Sequence, residues 1–163
     1  MIRLRKMTPE EFSSFREQSV AFYADDLVTA KGMTREDALK EAGSEFDAEL
    51  PDGPDTKFNH AMMIADPERN ADVGWIWFSF SKEEISRTKE AFLEDLLIYG
   101  PERRKGYASG AISEMLRIAK ESGCEFGSLF VWDHNPEGEK LYEKCGFATV
   151  RAAEGGKYMR KAL

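Results

Sequence analysis

AFLEDLLIYGPERRKGYASGAISEMLRIAK, residues 91–120, changes character twice. Its first nine residues are a strand-like apolar run, and the next seven, GPERRKG, hold two glycines, a proline and three cations. From Tyr107 to Lys120, Ala108, Ala111, Ile112, Met115, Leu116 and Ala119 recur at helical spacing on one face. A strand, a cationic glycine turn and a helix start together describe an anion site. N–H groups point out of the helix N-terminus, the dipole adds partial positive charge, and glycine lets a ligand approach the main chain. A phosphate or pyrophosphate is the natural guest. Two nucleotide motifs fail on spacing: Gly100 is followed by Pro-Glu-Arg-Arg and then Lys105-Gly106, the wrong order for a P-loop, and Gly106 and Gly110 do not give the dinucleotide fingerprint. From the loop alone, a solvated basic helix start with an ordinary turn glycine is an equal alternative.

Downstream, Gly123 stops the helix and FGSLFVW (126–132) reads as a strand, completing a central β-α-β unit. In NPEGEKLYEKCGF (135–147), Asn135 is an N-cap, Pro136 takes the first helical position and Gly146 marks the stop. FATVRA and KYMRKAL, separated by AEGG, close the chain as a hairpin. Upstream, IRLRK (2–6) is an opening strand, and Thr8-Pro9-Glu10-Glu11 starts a helix expected to bury Phe12, Phe15, Ser19, Phe22 and Tyr23. Thr34 and Asp37 form a capping box with Asp for Glu, ahead of a stripe of Ala38, Leu39, Ala42, Phe46 and Leu50 that ends at PDGPD. FNHAMMIA (58–65) and VGWIWFSF (73–80) are two antiparallel strands. The order β-α-α-β-β-β-α-β-α-β-β without internal repeats is a mixed α/β or α+β domain, and 163 residues without a linker make it a single one.

Net charge is −7, which removes the electrostatic footprint of nucleic-acid binding. The charge is uneven. Residues 25–55 hold ten carboxylates against three cations, whereas residues 103–120 hold five cations against one carboxylate. The acidic stretch is either a solvated helix face or the wall of a site for a cationic amine. The N-terminus has no apolar run of signal-peptide length, and no stretch is long and apolar enough to span a membrane, so a cytoplasmic protein with no membrane partner is expected. Cys124 and Cys145 form no CxxC pair and have no His at metal-ligand spacing; free thiols and no metal site are expected.

The pair RRKGYA and NPEGEKLYEKCGF resembles the GNAT superfamily of acetyl-CoA-dependent N-acetyltransferases. The first matches Arg/Gln-x-x-Gly-x-Gly/Ala through Arg103, Gly106 and Ala108; the second matches through Asn135, Leu141, Tyr142, Gly146 and Phe147. The resemblance covers residues 91–163 well, and the N-terminal half by element order only. It implies a GNAT-like sheet of about seven strands, splayed at the centre and flanked by about four helices. It implies an acceptor-side half, 1–90, and an acetyl-CoA-binding half, 91–163, with acetyl-CoA as co-substrate.

The resemblance further implies that Arg103, Arg104, Lys105, Gly106, Tyr107, Ala108 and Ser109 surround the CoA pyrophosphate, that Leu96, Leu97 and Ile98 pair with the pantetheine arm, and that Asn135 touches the cofactor. Tyr142 would sit near the thiol and protonate it on leaving, and a strand N–H near Leu96 would bind the developing oxyanion. Glu94 in FLED is the candidate base, because polyamine acetyltransferases of the superfamily carry a similar LED; the alternative is that strand alternation sends Glu94 and Asp95 to opposite faces. Peptide N-terminal acetyltransferases often have a glutamate where this chain has Phe130. Gly138 replaces a usual Ala, expected to weaken the short helix by about 1 kcal/mol. His134 and His60 read as polar loop residues, and Trp75, Trp77 and Phe78 as sheet core and surface, with a cleft-facing one as a substrate contact the alternative. The acceptor is expected to be a small cationic amine or a peptide amine, and the oligomeric state stays open, a homodimer included. A non-catalytic CoA-binding sensor or interaction module is the alternative.

Overall fold

The computed structural model describes residues 1–80 and 89–163. Its elements are β1 (Arg3–Lys6), α1 (Pro9–Lys31), α2 (Arg35–Glu49), β2 (Asn59–Asp66), β3 (Ala71–Phe80), β4 (Glu90–Ile98), α3 (Tyr107–Glu121), β5 (Phe126–Trp132), α4 (Pro136–Lys144), β6 (Ala148–Ala153) and β7 (Gly156–Ala162). The strands form one sheet in the order β1-β2-β3-β4-β5-β7-β6. β4 and β5 run parallel, as a crossover through α3 requires, and the other neighbours are antiparallel. This is the expected mixed sheet of seven strands with four α-helices among the described residues.

Local signals set the helix limits. The Thr8 hydroxyl accepts from the Glu11 N–H at 3.2 Å, and the Glu11 carboxylate accepts from the Thr8 N–H at 2.9 Å, a closed capping box with Pro9 at the first position. Gly32 ends α1 at φ 65°, a left-handed conformation that glycine adopts without strain. Thr34 accepts from the Asp37 N–H at 3.1 Å, but the aspartate, one methylene shorter than glutamate, makes no return bond.

Each face of the sheet carries a core. On one, Ile112 and Met115 of α3 pack on Phe78, Leu93, Leu129 and Met159. On the other, Phe15 of α1 and Phe46 of α2 meet Trp75 and Trp77 edge-on, with ring centroids 5.4–6.1 Å apart. The buried stripe of α1 runs through Phe15, Ser19, Val20, Ala24 and Leu27. Phe22, expected inside, is 48% exposed on the flank of that stripe, and Leu39 of α2 is likewise exposed. Cys124 and Cys145 are half-buried free thiols. Among the described residues, no helix is long and apolar enough to cross a membrane, and no group of three or more His, Cys, Asp or Glu could hold a metal ion.

Two irregularities of β4 position everything that follows. Against β3 its register slips: Trp77 lies opposite Asp95 and Phe78 opposite Leu93, leaving Glu94 as the extra residue of a β-bulge. Against β5 its ladder runs only from Glu90↔Phe126 to Leu93↔Leu129. Beyond Leu93 the two strands separate.

Candidate active site

The separation leaves Leu96, Leu97 and Ile98 without a partner on β5, an open backbone edge in the middle of the sheet. Such an edge can pair with any extended chain that offers amides. The turn after it leads to α3, whose N-cap residue Gly106 has φ 87° and supplies no capping side chain. The N–H groups of Tyr107, Ala108 and Ser109 therefore face outward uncapped. A Cβ built on Gly106 would meet nothing within 4 Å, so the space beside the Gly106 backbone is open.

The conspicuous cations are less available than the amides. The Arg103 Nε donates to the Ile98 carbonyl at 3.0 Å. Lys105 Nζ lies 3.0 Å from Glu102, which Arg69 also holds, and the two cations keep the Glu102 carboxyl down at about 2. The Tyr107 hydroxyl donates to Asp66 at 2.5 Å. Arg104, 90% exposed and 3.6 Å from Glu137, points into solvent. The loop is an anion cradle built mainly from backbone.

On the α1 and α2 side of the same strand lies a cleft of about 730 Å³. Among the described residues its lining includes Asp26, Glu45, Glu49, Glu94, Asp95 and Glu154, against a single cation, Lys31, which lies 4.0 Å from Glu41. Tyr23, Phe92, Phe130, Trp132 and Tyr158 supply aromatic walls. The Tyr23 hydroxyl is pushed up by burial, then by the neighbouring Glu45, Glu41 and Asp26, as expected in a negative field.

The bulge decides where the two adjacent carboxylates go. Strand alternation would part them, yet Glu94 and Asp95 both line the cleft. Asp95 Oδ2 accepts from Ser19 Oγ at 2.8 Å and Trp75 Nε1 at 3.2 Å, which ties α1 to β3 and β4. Burial pushes its pKa up, against the opposing pull of these donors and the Leu96 N–H. Glu94 is exposed to the cleft and accepts from Ser79 Oγ at 2.7 Å.

Tyr142, on α4, is half-buried with its ring edge-on to Phe147 at 6.3 Å. Burial, with Asp95 and Cys145 adding negative potential, pushes its hydroxyl up to about 12. Asn135 caps α4, its Oδ1 accepting from the Gly138 N–H at 3.0 Å. A Cβ on Gly138 would lie 2.5 Å from Asn135 Nδ2, so the glycine that costs helix propensity also makes room for the carboxamide.

Sequence reading names Asp95 only as the partner that alternation would part from Glu94, without its buried donors, and passes over the bond between His134 Nε2 and Asp26 Oδ1 at 2.6 Å, which joins the loop before α4 to α1. Asp95 carried a signal: a carboxylate between Leu93 and Leu96 in a strand covered on both faces needs buried donors. His134 carried none, since its partner is 108 residues away.

Comparison with known proteins agrees with this fold. Residues 32–147 match the family described as "Acetyltransferase (GNAT) family". The chain is 35% identical over 146 residues to the uncharacterized N-acetyltransferase YycN of Bacillus subtilis (strain 168), covering 90% of this chain and 92% of that one. It is 31% identical over 160 residues to the uncharacterized N-acetyltransferase YdgE of the same strain, covering 98% and 97%. The crystal structure of YycN superposes with a TM-score of 0.85 over 94% of this chain and 96% of that one, at 33% identity. The fold is shared with the PaiA N-acetyltransferase of Thermoplasma acidophilum in complex with coenzyme A, with a TM-score of 0.72 and 17% identity over 100% and 99% of the two chains. The chain belongs to the GNAT acetyltransferase family and is an N-acetyltransferase with acetyl-CoA as its co-substrate.

Proposed function

We propose that the enzyme acetylates a primary amine by direct attack, the acceptor being a small cationic amine or a peptide amine in the acidic cleft. In this reading residues 1–90 are the acceptor-side half of a single domain and 91–163 the acetyl-CoA half. The observation that carries it is the bulge of β4: the open backbone edge for the donor and the cleft carboxylate Glu94 adjoin at the point where β4 leaves β5.

The donor side fits an extended, phosphate-bearing thioester. Leu96, Leu97 and Ile98 pair with the pantetheine amides. The N–H groups of Lys105, Gly106, Tyr107, Ala108 and Ser109 take the pyrophosphate, with Arg103 and Arg104 adding positive potential. Asn135 lies beside the arm. The bound thioester supplies the acetyl group.

An alkylammonium with a pKa near 10.4 is neutral in about one molecule in 10³ at pH 7, a cost of roughly 4 kcal/mol, so a proton must leave as the nitrogen attacks. Glu94, exposed in the cleft and held by Ser79, is the proton acceptor. Tyr142, with its pKa near 12, keeps its proton throughout the working range and donates a hydrogen bond to the departing sulfur. As a weaker acid than a thiol near 8.5, it stabilises the thiolate without giving the proton up.

Thiol release from acetyl-CoA across a panel of amines, with wild type and Tyr142→Phe, tests the reading. Turnover of at least one cationic amine, slowed in the variant while CoA affinity holds, is expected. Tight CoA binding with no amine turned over above background would overturn it.

A further inference from the structure

A second cavity, about 410 Å³, adjoins the acceptor cleft and shares Phe92 and Tyr158 with it. Its charge is the reverse of the cleft's. Among the described residues, Arg151 and Arg160 face it against the single carboxylate Glu90, which Arg160 already engages. Arg151 stacks over the Tyr158 ring, 4.4 Å from its centroid, and has no carboxylate partner among the described residues. Two buried polar atoms of its lining residues, Ser128 Oγ and Arg160 Nε, have no hydrogen-bond partner among the described residues, and Ser128 is only 5% exposed. A buried hydroxyl and a buried guanidinium N–H left unpaired are donors awaiting an acceptor. Both belong to side chains that meet at one register position, because Ser128 lies opposite Arg160 on β7 and opposite Phe92 on β4.

We propose that this cavity receives the carboxylate of the acceptor, which makes the acceptor an amino acid or short peptide that presents a lysine-like amine to Glu94 and a free carboxylate to Arg151. The inference rests on the amine-acetylating role of the cleft proposed above. Glu94 lies two residues along β4 from Phe92, level with Phe130, Tyr158 and Arg151 on the next three strands, so Arg151 on β6 is roughly 14 Å away in sheet dimensions. Two long side chains reaching inward reduce that span to the length of a lysine, or of a lysine and one further residue. The aromatic bridge of Phe92 and Tyr158 suits the aliphatic stem between the two charges. A guanidinium held over a ring is preorganised for a carboxylate, and loses less freedom on binding than a free side chain would.

The test compares substrates that differ in this one charge: Nα-acetyl-lysine against its C-terminal amide, and Nα-acetyl-lysyl-glycine against its amide, by thiol release. In the better-fitting pair the acid should exceed the amide at least tenfold in kcat/KM. Arg151→Gln, on an exposed edge strand, should bring that ratio toward one, and Ser128→Ala should lower it about threefold. Equal use of acid and amide by wild type, or a preference that survives Arg151→Gln, overturns the proposal while leaving the amine reading intact. Stimulation of the amide's turnover by free acetate also overturns it, since the cavity would then take a separate anion. Turnover of no amine at all, carboxylated or not, overturns both.

Discussion

At the start of α3 the protein presents main-chain N–H groups on a turn; under α1 and α2 it presents carboxylate side chains from two helices, a strand and a hairpin. The first surface is short in sequence and nearly independent of side-chain identity, apart from a glycine at φ 87°. Its arginines and lysine are drawn to Ile98, Glu102 and Glu137. The second depends on which face each side chain takes, and one bulge in β4 decides that for Glu94 and Asp95. A site made of backbone tolerates loss of nearby charge and fails on loss of shape. A site made of side chains fails one residue at a time.

The sharpest break of this contrast is Glu94→Gln, which should lower kcat by about 10² to 10⁴ while CoA affinity, measured by calorimetry, stays within about twofold. An unchanged kcat would move the proton acceptor elsewhere. Next comes Gly106→Glu, which places bulk and negative charge at a left-handed position in front of the amides and should weaken CoA binding by at least about 10². Tyr142→Phe should slow turnover by about tenfold, and by the same factor at pH 7 and pH 10, because a phenol at about 12 is protonated at both. A factor that collapses between pH 9 and 10 would show the phenol ionising there. Smallest is Arg104→Ala: an exposed cation weakly paired with Glu137 should contribute less than about fivefold to CoA affinity. If it outweighs Gly106→Glu, charge rather than backbone shape dominates the cradle.

What the sequence reveals divides along the same line. The Thr8 and Asn135 caps, the Gly123 and Gly146 stops and the helical face of α3 arise from neighbours in the chain, and all are read correctly. The cradle is legible for that reason, since a strand end, Gly106 and a helix start follow one another directly. The bulge at Glu94 is not legible, because it exists only in register with Trp77 and Phe78 on another strand. Phe22 matches the helical pattern yet lies 48% exposed, because the sheet, not the helix, fixes where the stripe ends. The unpaired donors Ser128 Oγ and Arg160 Nε, and the stacked Arg151, come from three strands and no local motif marks them.

The central claim, that donor and acceptor sites adjoin where β4 parts from β5, is tested most directly by a crystal structure of the CoA complex. The pantetheine amides should pair with the backbone of Leu96, Leu97 and Ile98, the pyrophosphate should lie on the N–H groups before and within the first turn of α3, and the thiol should point toward Glu94 and Tyr142. A CoA bound away from this edge, or β4 and β5 zipped together beyond Leu93, would contradict it.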